Sequence, residues 1–402
     1  MRNSGSALRQ REFSRDPREA KAENLLIRGI GTMDHTIYLV VIILALFGLM
    51  MVFSASYVIT GRSRAHDFNT FYYLQRHGIM AALGFFAMNF MTKFNYRYLK
   101  RFCGPLYLSS LGLLLFATVY GIASHGARRW IPLPGGFQFQ PSEIAKVALI
   151  LVLARIISKN KSILDKWPGF LFCCGVVGVM VVFVGIGNLS TAIIIAIIGG
   201  GMIFMASPHI LRFVLLGGTG VAGMLGYLYF MANMASDSIG GQFRGDRFLA
   251  WLNPFDYMQG TGFQIVQSLY AIASGGMFGL GIGQSRQKTF LPEVHNDVIF
   301  SVIAEELGFF GAGLILFLFG VLVWRGLRIA MNATDSFGAL VAAGIILMIG
   351  SQVIINVAVV TNSIPNTGIP MPFISYGGTA LVVSMGCMGI LLNISRHTTV
   401  KN

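Results

Sequence analysis

Charge is scarce in this chain. Asp, Glu, Lys and Arg make up 11% of its 402 residues, whereas about 25% of the residues of a soluble globular protein are charged. Apolar residues make up 54% of the chain, and its mean hydropathy is +0.68. This balance excludes a soluble globular enzyme and predicts a membrane protein.

Cysteine is also scarce. The four cysteines, Cys103, Cys173, Cys174 and Cys387, fall in or beside apolar segments and show no metal-ligand spacing. The pattern argues against a disulfide framework and a structural zinc site. No other metal-ligand set is visible in the sequence.

Long uncharged runs indicate membrane-spanning helices. Residues 37–59 and 104–123 carry no charge; a spanning helix needs about 20 such residues, whereas the strands of a membrane β-barrel alternate over about 10. We predict an all-α polytopic membrane protein of about ten transmembrane helices, with a basic tail at 1–33, the helical domain at 34–396 and a short tail at 397–402. The predicted spans are 36–58, 71–91, 104–122, 142–158, 168–186, 190–207, 212–233, 297–324, 337–360 and 375–395.

Acidic residues are outnumbered, 16 against 30 Lys and Arg, for a net charge of +14. The basic residues concentrate in the N-terminal tail and in alternate short loops, which places both termini in the cytoplasm under the positive-inside rule. This distribution argues against a nucleic-acid partner. One outer loop, at about 234–296, is much longer than the rest, and loops of this length are usually functional or disordered.

Part of that loop has helical periodicity. In the stretch from 262 to 273, the polar residues Gln264, Gln267 and Ser268 are grouped at helical spacing. This predicts a helix that lies at the membrane interface or dips into the outer leaflet.

Asp297 stands where the long loop ends and the eighth apolar span begins. A carboxylate costs on the order of 2.5 to 3.5 kcal/mol near the bilayer centre, so a functional role is the default interpretation. Asp297 is the leading candidate for a general base acting on a lipid-linked substrate. The alternative is an acid that favours the dipole of the helix it precedes.

Other charged residues fall inside predicted spans. Glu143 and Lys146 are three residues apart and therefore lie on one helical face. They form either a structural ion pair or a substrate site. Arg76 either snorkels to the interface or binds a phosphate. Glu305 and Glu306 cannot face one direction, and we expect one of them to meet a cation. The outer loops hold further candidates for binding diphosphates or anionic headgroups, namely Arg128, Arg129, Arg244 and Arg247.

Several motifs together carry a family resemblance. They are Trp130-Ile-Pro…Gln140-Pro-Ser-Glu-Ile-Ala-Lys146, Arg247-Phe-Leu-Ala-Trp-Leu-Asn-Pro254, Gly262-Phe-Gln…Gln267-Ser, Leu291-Pro-Glu…Asp297…Glu305-Glu-Leu-Gly308 and Gly368-Ile-Pro-Met-Pro-Phe-Ile-Ser-Tyr-Gly-Gly378. In this order they resemble the SEDS family of FtsW, RodA and SpoVE type. The resemblance runs from about Asp34 to Arg396.

The resemblance implies a peptidoglycan glycosyltransferase in the bacterial cytoplasmic membrane that polymerises lipid II into β-1,4 glycan on the outer face. It implies that Asp297 is the essential acid. It also implies a class B penicillin-binding protein as partner, beside other divisome or elongasome membrane proteins, and it leaves open whether a divalent cation assists the diphosphate. The substrate-binding residues it implies, together with the outer-loop candidates, are Arg76, Glu143, Lys146, Arg244, Arg247, Gln264, Gln267 and Ser375.

Two departures from the family pattern stand out. The usual His-Thr-Asp is His295-Asn296-Asp297 here, and the usual Pro-Asp-Leu-Gly-Thr reads Gly187-Asn188-Leu-Ser190-Thr191. Two rival functions remain open, a lipid II flippase and a non-catalytic scaffold for a penicillin-binding protein. The sequence does not separate division from elongation or sporulation.

Overall fold

The computed structural model describes residues 31–62, 68–124, 127–215, 217–218, 226, 249–260, 262–291 and 293–398. Helices dominate this part of the chain, as predicted. They are α1 (His35–Arg62), α2 (Tyr72–Lys93), α3 (Leu99–Tyr120), α4 (Pro141–Lys159), α5 (Trp167–Gly187), α6 (Leu189–Ala206), α7 (Phe263–Gly275), α8 (Ile299–Met331), α9 (Ser336–Val360) and α10 (Thr379–Ser395).

Six of these helices, α1, α3, α5, α6, α8 and α9, are long and apolar enough to cross a membrane. The predicted spans at 71–91 and 142–158 form α2 and α4, which carry charged side chains, and α10 is a shorter apolar helix. The predicted span at 212–233 lies largely outside the described residues. Helices α4 and α9 form the centre of the bundle, with most of their residues buried.

A small antiparallel sheet follows α3, and the sequence analysis did not anticipate it. Strand β1 (Ile122–Ser124) pairs with β2 (Ala127–Leu133), which pairs with β3 (Phe137–Phe139). The turn between β2 and β3 holds Gly136 at φ +72°, where a side chain would be strained and would also meet the guanidinium of Arg76. The sheet is therefore fixed against α2.

Helix α8 covers most of the predicted span at 297–324, and it is broken inside that span. Gly308 has φ +69° and ψ −169°, a conformation that only glycine adopts readily, and it divides the helix. The break frees backbone groups that must be satisfied inside an apolar bundle. The N–H groups of Leu280 and Gly281 donate to the carbonyls of Glu305 and Glu306 at 3.0 Å each. The loop after α7 thus completes the broken helix.

Both carboxylates at this break are fully buried. Glu306 accepts hydrogen bonds from the Ser54 hydroxyl at 2.7 Å and pairs with Lys288 at 3.4 Å. Glu305 accepts from the Ser285 hydroxyl and from the backbone N–H of Arg286 at 2.9 Å. The expectation that one of the two acids meets a cation is confirmed. Both accept hydrogen bonds from Ser285, so the expectation that they cannot face one direction is wrong. Together they hold the loop between α7 and α8 inside the bundle.

The opposite end of the bundle is closed by two other acids. Asp34 is buried, caps α1 through the N–H of Ile37 and pairs with Arg325 at 2.8 Å. Burial raises the pKa of Asp335, but hydrogen bonds from Tyr96 and Lys100 outweigh it and hold that pKa below its ordinary value. Asp335 also accepts from the N–H of Gly338 and so caps α9.

We predict that Gly308→Ala destabilises the protein, because a Cβ at φ +69° is strained by about 1 to 3 kcal/mol and would overlap the backbone at Met277 and Gly279. Thermal unfolding of the detergent-purified protein, followed by size-exclusion chromatography, measures the loss. Gly313→Ala is the matched control, because Gly313 lies in the same helix with open space around its Cα. Equal melting temperatures for the two variants would contradict this account of the break.

Candidate active site

Asp297 lies in the turn before α8 and is half-buried. The residue at the N-cap of α8 is Val298, and no side chain caps that helix, so Asp297 does not act as its cap. Its Oδ1 accepts a hydrogen bond from the Gln264 side chain at 3.3 Å. Gln264 in turn accepts from the Asn366 side chain at 2.9 Å. The carboxylate is thereby tied to α7 and to the loop at 361–378.

The main chain of Asp297 is held independently of its side chain. The buried amide of Asn356, on α9, donates to the carbonyls of Asp297 and Ile369, both at 2.7 Å. A Cβ built on Gly368 would lie 3.5 Å from Oδ2 of Asp297, which places the backbone of the 361–378 loop against the carboxylate. Three elements, α7, α9 and this loop, therefore position the acid.

An aromatic cluster supports the turn that carries Asp297. The ring of His295 lies 4.0 Å from that of Tyr73 and 5.4 Å from that of Tyr376, measured between centroids. The N–H of Tyr376 donates to the carbonyl of His295 at 2.8 Å. These contacts connect the turn to α2 and to the segment just before α10, and so they fix the backbone that carries the carboxylate.

Glu143 and Lys146 form the ion pair that was one of the two predicted alternatives. Their side chains are 2.9 Å apart and only 7% and 1% exposed. Glu143 also lines a small cavity, together with Gln352, Met371 and Ser375. The volume of this cavity is about 20 Å³, counted as the space that the centre of a water molecule can occupy. The pairing is thus structural, while the position beside a cavity keeps the substrate role open.

Ser375 is buried in the wall of this cavity. Its hydroxyl accepts from the N–H of Met371 at 2.8 Å, and its own N–H donates to the Met371 carbonyl. It therefore closes the turn between residues 371 and 375, the segment that follows Ile369 and Gly368. Through that turn the cavity wall and the surroundings of Asp297 belong to one loop.

Arg76 is engaged with the small sheet. Its guanidinium donates to the Gly136 carbonyl at 2.8 Å and lies over the rings of Tyr72 and Phe137, at 4.5 and 5.3 Å from their centroids. Gln267 is half-buried one turn after Gln264 on α7. The two remaining predicted binding residues, Arg244 and Arg247, lie outside the described residues.

Two buried amides near the site, one of which holds Asp297, were not among the residues predicted from the sequence. Asn356 and Gln352 are buried on α9, 1% and 5% exposed, in a predicted span that carries no charge. A buried amide in an otherwise apolar helix must find partners or cost free energy. That rule would have marked Asn356 as a candidate, although not its partner.

Comparisons with known proteins cover nearly the whole chain. A family model described as "Cell cycle protein", for FtsW, RodA and SpoVE, matches residues 34–400. Stage V sporulation protein E of Bacillus subtilis (strain 168) is 40% identical over 370 residues, 91% of this chain and 97% of that protein. A probable peptidoglycan glycosyltransferase FtsW of Geobacter sp. (strain M18) is 38% identical over 377 residues, 92% of this chain and 98% of that protein.

Two solved structures share the fold. A chain from a peptidoglycan synthase complex that coordinates polymerization and crosslinking gives a TM-score of 0.74 at 26% identity, covering 91% of this chain and 98% of that one. Rod shape determining protein RodA of Thermus thermophilus gives a TM-score of 0.65 at 25% identity, covering 92% and 98%. These similarities confirm the predicted all-α, multi-pass membrane fold.

The buried pair on α4 yields a double-mutant prediction. Lys146→Met leaves Glu143 buried without its cation and should cost on the order of 3 to 5 kcal/mol, whereas Glu143→Gln with Lys146→Met should recover most of that loss. Melting temperatures of the single and double variants in detergent measure both effects. Lys100→Met removes a half-exposed pair with Asp335 and should cost at most about 1 kcal/mol. If the stability lost in the double variant equals the sum of the losses in Glu143→Gln and Lys146→Met alone, the two residues do not form a structural pair.

Proposed function

The chain belongs to the FtsW, RodA and SpoVE family of cell cycle proteins, and on that premise we propose that it is a peptidoglycan glycosyltransferase in which Asp297 is the general base. The observation that carries the assignment of Asp297 is its setting. Its half-buried carboxylate accepts from the Gln264 amide, and its main-chain carbonyl accepts from the Asn356 amide. The substrate is lipid II, an undecaprenyl diphosphate that carries a disaccharide.

In the proposed step, Asp297 takes the proton from the 4-hydroxyl of the acceptor's GlcNAc. The hydroxyl oxygen attacks the anomeric carbon of the donor's MurNAc on the face opposite its diphosphate. The bond from that carbon to the diphosphate oxygen breaks, and undecaprenyl diphosphate leaves with the electron pair. The centre inverts to a β-1,4 link, and Asp297 then gives its proton to solvent.

The half-buried position suits this work, because the protein holds the carboxylate while part of its surface stays open to a substrate. The contacts of Gln264 and Asn356 fix the geometry, because a base must lie within hydrogen-bond reach of the proton that it removes. A carboxylate on an unsupported loop would lose this advantage.

Lys146 and Arg76 are candidates for stabilising the departing diphosphate, and both already have partners in the protein. Lys146 is 1% exposed and paired with Glu143, so we assign it to holding Glu143 in the cavity wall. Arg76 is half-buried rather than fully buried, and its planar guanidinium matches the geometry of phosphate oxygens. Arg76 is therefore the better candidate of the two for a charge-assisted contact with diphosphate.

We place the enzyme in the bacterial cytoplasmic membrane with both termini inside, which puts Asp297 on the outer face. The distribution of basic residues supports this orientation. We also propose a class B penicillin-binding protein as partner, since one structural neighbour belongs to a complex that joins polymerization to crosslinking. Exposed aromatic side chains on α8, including Phe309, Phe310 and Phe317, offer an apolar surface for such a contact.

We predict that Asp297→Asn lowers the rate of lipid II polymerisation by about 10²- to 10⁴-fold, because general-base assistance contributes about that much. Purified protein, co-purified with its partner, is given lipid II in detergent, and glycan chains are resolved by gel electrophoresis. Asp256→Asn is the matched control, because Asp256 is an exposed acid between α6 and α8.

The control should polymerise at the wild-type rate. A near-normal rate for Asp297→Asn would remove Asp297 from the mechanism. Absence of glycan from wild type and both variants, with transport of lipid II into vesicles, would favour the flippase instead. Lipid II in detergent separates these outcomes because no membrane has to be crossed.

A further inference from the structure

A second cavity lies apart from the Asp297 site, where four helices and the small sheet meet. Its volume is about 20 Å³, counted as the space that the centre of a water molecule can occupy. The end of α3, the start of α4 and the junction of α5 with α6 form its walls, and β2 covers one side. Its polar lining consists of Thr118, Arg128, Arg129, Gln140, Ser142 and Asn188.

The electrostatics of this cavity favour an anion. Two arginines line it, and no acidic side chain occurs among its described lining residues. The N-termini of α4 and α6, helices of 19 and 18 residues, both begin at its wall. Helix N-termini carry partial positive charge and bind phosphate and carboxylate groups.

A buried hydroxyl points independently to a ligand. Ser142 is 4% exposed and lines the cavity, and its Oγ has no hydrogen-bond partner among the residues that the structure describes. A buried hydroxyl without a partner is destabilising, and such groups are normally satisfied. Its neighbour Glu143 faces the other cavity and pairs with Lys146, so the two residues serve different sites from one turn of α4.

The size and surroundings of the cavity narrow the ligand class. A space of this volume holds about one water-sized group, so a single phosphate oxygen fits inside while the rest of the group stays at the mouth. Arg128 is exposed there and spends one of its N–H groups on the Val119 carbonyl. Residues close in sequence to the lining residues Thr118, Gly187 and Asn188 are exposed and apolar, including Tyr120, Ile186 and Leu189. A phosphate carried by a lipid matches this combination.

We propose that this cavity binds the phosphate of a membrane lipid, with Arg128, Arg129 and the Ser142 hydroxyl as donors. Two sources share this chemistry, the diphosphate of an undecaprenyl lipid and the headgroup of an anionic phospholipid. The first source rests on the proposed function, whereas the phosphate site itself does not.

Asn188 offers a test that leaves the fold intact. Its side chain caps α6 by accepting from the N–H of Thr191 at 3.2 Å, and Asp and Ser cap helices about as well as Asn. Asn188→Asp adds a negative charge to the cavity, whereas Asn188→Ser adds none. Native mass spectrometry of the purified protein measures binding of undecaprenyl diphosphate, phosphatidylglycerol and, as a phosphate-free control, diacylglycerol.

We expect Asn188→Asp to weaken binding of at least one phosphate lipid by about tenfold or more, the order expected for contacts to a charged group, while Asn188→Ser stays within about threefold of wild type. The lipid whose binding is weakened identifies the source. If binding of both lipids is weakened, competition between them decides which one the site prefers. Equal binding by the two variants, or equal binding of diacylglycerol, would overturn the proposal.

Ser142→Ala adds a readout that a purely structural serine would not give. Removing an unsatisfied hydroxyl should raise the melting temperature of the delipidated protein and also weaken phosphate-lipid binding by about tenfold. A rise in melting temperature with unchanged binding would exclude the hydroxyl from the site. All binding measurements are made on the Asp297→Asn background, so the result stands whether or not Asp297 proves to be the base.

Discussion

The arrangement of the Asp297 end of the bundle depends on two carboxylates buried at the break in α8. Glu305 and Glu306 have no exposed surface, so every lone pair must find a donor or cost free energy. The donors come largely from the loop between α7 and α8, through Ser285, Lys288 and the backbone of Arg286. These contacts hold the polar loop inside the bundle. The position of Asp297, near the end of that loop, is fixed as a result.

The acids of the described chain thus divide by environment. Asp34, Glu143 and Glu306 are buried and paired with Arg325, Lys146 and Lys288 respectively. In such pairs the carboxylate oxygens are engaged by a neighbouring cation, which suits a structural role better than proton transfer. Asp297 is half-buried, and neutral amides are among the groups that hold it. Partial burial, together with the neutral amide that contacts its carboxylate, separates the proposed base from these three paired acids.

Much of this could be predicted from residue pattern. Apolar runs located most of the helices, and the spacing of Glu143 and Lys146 placed them on one face, where the structure pairs them. The helix at 263–275 followed from the grouping of Gln264, Gln267 and Ser268. These features are local, because helical periodicity and charge position act over one or two turns.

Other features depend on partners distant in sequence. The break at Gly308 could not be separated from an ordinary helical glycine, because its stabilising partners, Leu280 and Gly281, lie in a loop about 25 residues earlier. Asn356 is likewise separated from Asp297 by 59 positions. The sheet was missed because β1 and β3 are only three residues long and the sequence of β2, Ala-Arg-Arg-Trp-Ile-Pro-Leu, does not alternate between apolar and polar residues.

That sheet connects the two cavities. Its strand β2 brings Arg128 and Arg129 to the cavity at α6, and its turn at Gly136 accepts the hydrogen bond from Arg76. A Cβ on Gly378 would lie 3.8 Å from the carbonyl of Gln138, so β3 also lies against the loop that surrounds Asp297. A lipid phosphate bound at one edge of the sheet would therefore restrain the same hairpin that borders the proposed catalytic site.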